Sequence, residues 1–142
     1  MNDYIDSFIK EHTCANISCL DANGNPYSFS CFYAIDIKEA LLYFKSSPDS
    51  NHAGFLLANP IVAGTILPDK LNKLQVKGIQ LSGTVLKFDD TLAQHASLHY
   101  YKSHPMAMAM SGEIWTIKIN WIKYTDNTLG FGKKIIWERP VN

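Results

Sequence analysis

One short stretch concentrates the groups that could do chemistry. Ser46-Ser47-Pro48-Asp49-Ser50-Asn51-His52 sets three hydroxyls, an amide and an imidazole directly behind a strand-like run. Backbone N–H groups at a helix start and the helix dipole both favour negative charge, so the segment suits an anion such as a phosphate. The same serines would serve equally to cap a helix and nothing more. Three hydroxyls beside an Asn-His pair are more than a cap needs.

Two further places carry groups of interest. Gln80 stands between Ile79 and Leu81 on a long strand-like segment. It reads either as an outward polar residue of a half-exposed strand or as an amide aimed at the edge of a planar ligand. The run Gly130-Phe131-Gly132-Lys133-Lys134-Ile135-Ile136-Trp137 joins a glycine-flanked aromatic to two lysines and an indole. Its lysines would suit a solvated strand edge and Trp137 a core, or the whole run would be a flap over an aromatic, anionic ligand.

Other chemistries find no support. His12, His95, His99 and His104 lack metal-ligand partners, and His95 and His99 do not enclose an HExxH pattern. The glycines form neither a dinucleotide fingerprint nor a P-loop, and there is no GxSxG elbow. Met106, Met108 and Met110 read as adaptable packing at a loop or interface. Cys14, Cys19 and Cys31 cannot all pair within the chain and read as small apolar fillers, with Cys31 alone able to approach a cofactor ring.

These residues must be positioned by elements that the sequence punctuates clearly. Asn2 to His12 spaces Tyr4, Ile5, Phe8 and Ile9 along one helical stripe, capped by Asn2 or Asp3. Thr13 to Leu20 and Tyr27 to Ile35 make a hairpin around the Asn23-Gly24 turn. Ala40 to Lys45 is a short strand, followed by a helix with Ser47 as N-cap and Pro48 in its first position, ending at Asn59-Pro60. Ile61 to Leu67 reads as a buried strand, and Leu74 to Asp89 as a long one in which Gly78 or Gly83 marks a bulge.

Thr91 opens a helix with Leu92, Ala96 and Leu98 as apolar positions, closed near His104-Pro105, and 106–110 reads as apolar and flexible. Glu113 to Lys123 alternates as a strand, with Trp115, Ile117, Ile119 and Trp121 on one side. After the turn-rich 125–132 comes a last strand at Ile135-Ile136-Trp137. Strands dominate and turns are short. That pattern predicts a mainly β, α+β fold: an antiparallel barrel with a few peripheral helices, closed so that no sheet edge is left bare.

Composition bounds the rest. The 142 residues suit one domain, and nothing marks an internal boundary. Thirteen Lys plus Arg against thirteen Asp plus Glu give no net charge. Twelve of those bases are scattered lysines and one is Arg139, so no clustered basic face is available for a nucleic-acid backbone. Charged residues are only 18%, which hints at surface covered by a partner subunit. With no signal peptide and no apolar run near the roughly 20 residues of a membrane span, a cytoplasmic protein with reduced thiols is expected.

Taken in order, the pieces resemble a known family. Asn25-Pro26-Tyr27, Leu41-Leu42-Tyr43-Phe44-Lys45-Ser46, Ser50-Asn51-His52-Ala53, Asn59-Pro60-Ile61-Val62-Ala63 and Gly78-Ile79-Gln80-Leu81-Ser82-Gly83 look like the FMN-binding split β-barrel of the pyridoxamine-phosphate-oxidase-like superfamily. Val62-Ala63-Gly64-Thr65 and Tyr124-Thr125-Asp126-Asn127-Thr128-Leu129-Gly130-Phe131-Gly132-Lys133-Lys134 resemble a small bacterial branch of it. The resemblance implies a homodimer with two FMN sites at the subunit interface. Ser46, Ser47, Ser50, Asn51 and His52 would then lie at the FMN phosphate, Asn51 and His52 standing where the wider superfamily has cations.

By the same resemblance the backbone of Ser28 to Cys31, including Ser30, would flank the flavin together with Lys45. Gln80 would reach the isoalloxazine edge, and Lys133 and Trp137 would come from the partner chain. The Arg-x-His pair that handles pyridoxine-type substrates has no counterpart in Trp137-Glu138-Arg139-Pro140, so vitamin B6 phosphate is not the expected substrate. The implied function is an FMN-dependent oxidoreductase acting on a small substrate. The alternatives are a non-catalytic flavin-binding module, or a split barrel that takes another planar ligand such as haem.

Overall fold

Among the described residues every strand finds its partners in one antiparallel sheet, ordered β3-β2-β1-β4-β5-β6-β7 and closed by β3 pairing back onto β6. The computed structural model describes residues 1–130 and 133–142; Phe131 and Gly132 of the expected flap lie outside the described residues. The strands are β1 (Cys14–Leu20), β2 (Pro26–Asp36), β3 (Leu41–Ser46), β4 (Ile61–Ile66), β5 (Lys77–Val85), β6 (Glu113–Asp126) and β7 (Lys134–Glu138). The helices are α1 (Asp3–Glu11), α2 (Asn51–Ala58) and α3 (Ala96–Ser103). Six strands make the barrel and β7 is appended to β6, which is the split-barrel architecture the sequence predicts. Among the described residues no helix is long and apolar enough to cross a membrane.

The barrel closes through one strand with a divided edge. The first half of β6 pairs with β3, from Glu113 opposite Ser46 to Lys118 opposite Leu41. The same edge then turns to β7, from Trp121 opposite Glu138 to Thr125 opposite Lys134. At the fork between them Arg139 supplies the missing donors. Its Nε donates to the Ile119 carbonyl at 2.8 Å, and Nη2 to the carbonyls of Glu39 at 3.0 Å and Ala40 at 2.9 Å. Ala40 itself adopts φ 52°, a left-handed turn that only tight anchoring justifies in a residue with a Cβ.

The fork coincides with a change of phase. Opposite β5 the register skips a residue between Ser82 and Gly83, leaving Asn120 as the extra residue of a bulge. Trp115, Ile117 and Ile119 point inward before it, and Ile122 and Tyr124 after it. Trp121, expected on the same side as Ile119, is therefore turned outward and half-buried. Gly83 is the glycine that matters here, because a Cβ at that position would meet the Lys118 carbonyl oxygen at 2.5 Å.

Two apolar clusters share β3. Leu42 and Phe44 fill the barrel with Ile17, Ile66, Ile117 and the α1 residues Ile5, Phe8 and Ile9, while Tyr4 is half-exposed beside that stripe. Leu41 and Tyr43 face the other way, under Ala96 and Tyr100 of α3. Burial on both faces is why this strand reads as continuous apolar sequence.

Several expectations need correcting. β4 alternates exposed and buried instead of being buried throughout, because its outer face carries no covering element. The segment after Asp90 forms a 3-10 turn, Thr91–Ala93, before α3, and Leu98 is exposed while Tyr100 takes its place in the packing. Cys19 is a buried filler as expected, but Cys14 is exposed on the outer face of β1.

Replacing Gly83 by Ala tests the crossing. Overpacking against the Lys118 backbone should cost about 1–3 kcal/mol in urea unfolding, whereas Gly54→Ala, with nothing near its added methyl, should stabilise α2 slightly. Equal stability of Gly83→Ala and the parent would contradict the crossing.

Candidate functional site

A cavity of about 780 Å³ opens where the end of β3, the first turn of α2 and the middle of β2 meet the loop after α3. Its walls are chiefly apolar: Phe29, Phe32, Phe44, Tyr100, Met106 and Met110. One end is hydroxylic, formed by Ser46, Ser47 and Ser50 with His52, and Ser30 and Cys31 lie along β2. Seven residues singled out in the sequence thus converge: Ser30, Cys31, Lys45, Ser46, Ser47, Ser50 and His52.

The serine end is built differently from the expected cap. α2 starts at Asn51 with Ser50 at its N-cap, and Ser50 makes no side-chain capping bond. Ser47 to Ser50 instead form a tight turn: Ser50 N and Oγ both donate to the Ser47 carbonyl, at 3.2 and 2.8 Å, and Asp49 N donates to Ser47 Oγ at 3.2 Å. Pro48 belongs to this turn, not to the helix, because its missing N–H is accommodated there at no loss. The turn leaves the Ser46, Ser47 and Ser50 side chains together at the cavity wall.

His52 is held from two sides. Its ring stacks on Phe29, centroids 3.8 Å apart and planes 11° from parallel, and its Nε2 shares a hydrogen bond with Ser46 Oγ at 2.5 Å. Ser46 Oγ is also 3.3 Å from Ser50 Oγ, and its carbonyl accepts from the Trp115 indole at 3.4 Å. Burial pushes the His52 imidazole below its ordinary value, so at neutral pH it is uncharged. Cys31 is driven the other way: burial, then the neighbouring Cys14, raise its thiol to about 12, which keeps it a protonated, unreactive wall group.

Lys45 lines the cavity with its stem but directs its charge elsewhere. Its ammonium donates to Tyr101 Oη at 2.8 Å, to the Ala107 carbonyl at 2.7 Å and to the Met110 carbonyl. All three donors of the group are thereby occupied. They fasten the 3-10 turn Pro105–Ala109, the stretch expected to be flexible, as a strap along one wall. His104 ties the start of the strap, its Nε2 2.7 Å from the Tyr33 carbonyl oxygen.

Four predicted residues lie off this cavity. Asn51 is exposed at the start of α2, with its amide 3.5 Å from Tyr27 Oη. Gln80 is exposed on the outer face of β5, between Thr65 and Lys123 of the flanking strands. Lys133 is exposed ahead of β7, and Trp137 sits half-buried opposite Ile122, with the Arg139 guanidinium 5.8 Å from its ring.

The turn after β6 has a structural role of its own. Asp126 is buried, with its carboxylate accepting from Tyr124 Oη at 2.8 Å and from Thr128 N and Oγ1 at 2.8 and 2.6 Å. Burial works to raise its carboxyl, but the Thr128 and Tyr124 bonds and the Lys77 charge outweigh it and hold the group below its ordinary value. Asn127 exchanges bonds with Val76 and Leu74, fixing the loop before β5. A second cavity of about 600 Å³ lies between this turn, α1 and the loop at Pro68–Gln75, where Asp126 is tied within its own turn and Asp69 accepts from Thr13 N and Oγ1.

Sequence reasoning did not single out Phe29, Phe44, Tyr100, His104 or the methionines as wall residues of one cavity. The aromatic alternation of β2 was the available signal: Tyr27, Phe29 and Cys31 share a face, and Phe29 continues through Phe44 to Trp115 at centroid spacings of 5.6 and 6.1 Å.

A closed antiparallel barrel with a ligand-sized, aromatic-walled cavity at its rim defines the split-barrel class. No family model matches the chain. By sequence it is 36% identical over 121 residues to the UPF0306 protein plu4501 of Photorhabdus laumondii, covering 85% of each chain. It is 34% identical over 138 residues to a UPF0306 protein of Haemophilus ducreyi, covering 96% of this chain and 94% of that one. The chain belongs to the UPF0306 family.

Among solved structures, a haem binding protein from Mycobacterium smegmatis superposes with a TM-score of 0.76 at 12% identity, over 92% of this chain and 55% of that one. A FAD-binding protein (mll6688) from Mesorhizobium loti gives 0.65 at 17% identity, over 86% and 92%. At such identities the likeness is one of fold.

Lys45→Met should free the strap without collapsing the barrel. The expected result is faster amide exchange confined to residues 105–112, with a stability loss of about 1.5–3 kcal/mol for the charge-assisted bonds removed. Unchanged exchange in that segment would show that Lys45 does not hold it.

Proposed function

We propose that this protein binds FMN as a homodimer and serves as a flavin-dependent oxidoreductase acting on a small substrate. The observation that carries the reading is a cavity of about 780 Å³ with aromatic walls and a serine-rich end, of the size and character that enclose a planar cofactor with a polar tail. Ser46, Ser47, Ser50 and His52 would hold the phosphate, and Phe29, Phe44, Met106 and Met110 would exclude water from the ring. Flavin supplies electron and hydride transfer when bound, and the protein supplies binding, orientation and surroundings. The protonated Cys31 thiol gives such a ring a neutral, unreactive neighbour. The flavin- and haem-binding descriptions of structural neighbours are consistent with a planar ligand in this fold.

A homodimer would account for the expected residues that lie off the cavity. Ser30 borders both the cavity and a second groove that runs over β1 and β4 past Asn16 and Thr65. The outer face there carries small polar side chains, with Asn16 bonded to Ser30 and Ser18 to Ser28, and a partner packed on it would bring Lys133 and Trp137 toward the ligand. Haem is the second reading, favoured by the imidazole and methionines that share the cavity, His104, Met106 and Met110.

Titration decides between them. FMN should bind one per chain with quenched fluorescence, and haemin should bind more weakly. Binding of haemin with no uptake of FMN would replace the first reading by the second. Trp137→Ala should weaken FMN binding and the dimer together in sedimentation; a monomer that binds FMN fully would contradict the shared site.

A further inference from the structure

Building on the phosphate end assigned above, we propose that His52 supplies the positive charge for the ligand's anionic tail by taking up a proton as the ligand binds, so that pH sets the affinity. The charge arithmetic of the cavity leads there. Among the described residues Lys45 is the one Lys or Arg in its lining, and its ammonium is turned onto Tyr101 and the Ala107 and Met110 carbonyls. Arg139, the only arginine, is engaged at the fork of β6. The hydroxyls of Ser46, Ser47 and Ser50 can donate hydrogen bonds to an anion but cannot neutralise it. Within one chain, what remains at that end is the imidazole, whose Nε2 already sits among these hydroxyls, 2.5 Å from Ser46 Oγ.

The groups that face His52 permit the change. On its own element stand Ser50 and Asn51, both uncharged, and Asp49 in the preceding turn is exposed and outside the cavity lining. β2 presents the Phe29 ring and the neutral Cys31 thiol, and β3 presents Ser46 and the sequestered Lys45. From α3 and the strap come Tyr100, a neutral phenol, and His104, held on the Tyr33 carbonyl. Among the described residues no carboxylate lines the cavity to charge the imidazole beforehand.

With no anion beside it, burial keeps His52 neutral. A phosphate dianion set among the serines is an opposite charge within a few ångströms, which favours the imidazolium. Binding then takes one proton from solvent, to a ring nitrogen of His52, and no covalent bond changes. The consequence is a preference that depends on the phosphate alone.

The experiment compares FMN with riboflavin, which lacks the phosphate, between about pH 6.5 and 8.5, above the second phosphate ionisation near 6. FMN affinity should fall by up to about tenfold per pH unit, the limit for one linked proton, while riboflavin affinity stays level. His52→Gln should reduce FMN to the level of riboflavin and abolish the slope, and His52→Lys should restore tight binding without the slope. Calorimetry of the unaltered protein in buffers of different ionisation enthalpy should record about one proton taken up per chain, which keeps the test open if a variant fails to fold.

FMN affinity that is level with pH, or a slope that survives in His52→Gln, would overturn this inference and leave FMN binding itself standing. Failure of both flavins to bind at any pH would overturn the proposed function and this inference together.

Discussion

The divided edge of β6 is the constraint on which the rest of the structure depends. One strand serves three partners: β5 on one side from Ile117 to Asp126, then β3 and β7 in succession on the other edge. A straight, regular strand cannot hand its edge from one partner to another without leaving backbone groups bare at the junction. Here the junction is filled from outside the sheet. Arg139 donates to three carbonyls, Ile119 N donates to the Ala40 carbonyl, and Arg139 N donates to Asn120. A guanidinium suits this role because it presents several donors in one plane and does not lose its charge, whereas a lysine offers a single point.

Closure at the fork also places the ligand cavity. Pairing with the first half of β6 fixes β3 with Ser46 at its very end, next to Glu113. The chain must then turn sharply into α2, and the Ser47–Ser50 turn does so with its own hydroxyls and carbonyls. Because β3 is buried on both faces, neither Phe44 nor Tyr43 can swing, and the aromatic sequence from His52 through Phe29 and Phe44 to Trp115 is seated on an unmoving base. Rigid positioning of this kind suits a site meant to receive a flat ligand with little rearrangement.

Much of this was legible in the residues, and the failures have definite causes. The hairpin of β1 and β2 follows from Asn23-Gly24, and Gly24 does adopt the positive φ of 79° that the turn demands. Strand alternation placed Trp115, Ile117 and Ile119 correctly and failed at Trp121, since a bulge at Asn120 adds one residue and every later side chain changes face. Ser47-Pro48 carries all the marks of a helix start and yet forms a turn, because local capping signals do not distinguish a helix from the tight turn that precedes one. Lys45, Ser46, Ser47, Ser50 and His52 converge on the cavity because they are near one another in sequence, and Ser30 and Cys31 join them because β2 pairs with β3. Gln80, Lys133 and Trp137 are far along the chain, and no spacing rule says which face of a closed barrel they reach.

Lys45 shows most sharply what sequence position leaves open. A lysine next to a serine cluster reads as the cation of an anion site, and on that ground it belongs beside the ligand. Its four-carbon stem nevertheless lets the ammonium choose among acceptors several ångströms apart, and two carbonyls and a phenol of the strap offer a complete shell. A carbonyl shell holds an ammonium permanently, while a ligand would hold it only when bound. With the fixed cation withdrawn to organise the wall, the hydroxyl end keeps a titratable ring in place of a standing charge and buries no uncompensated ion. On the reading proposed above, that arrangement would move discrimination between ligands from permanent charge to protonation.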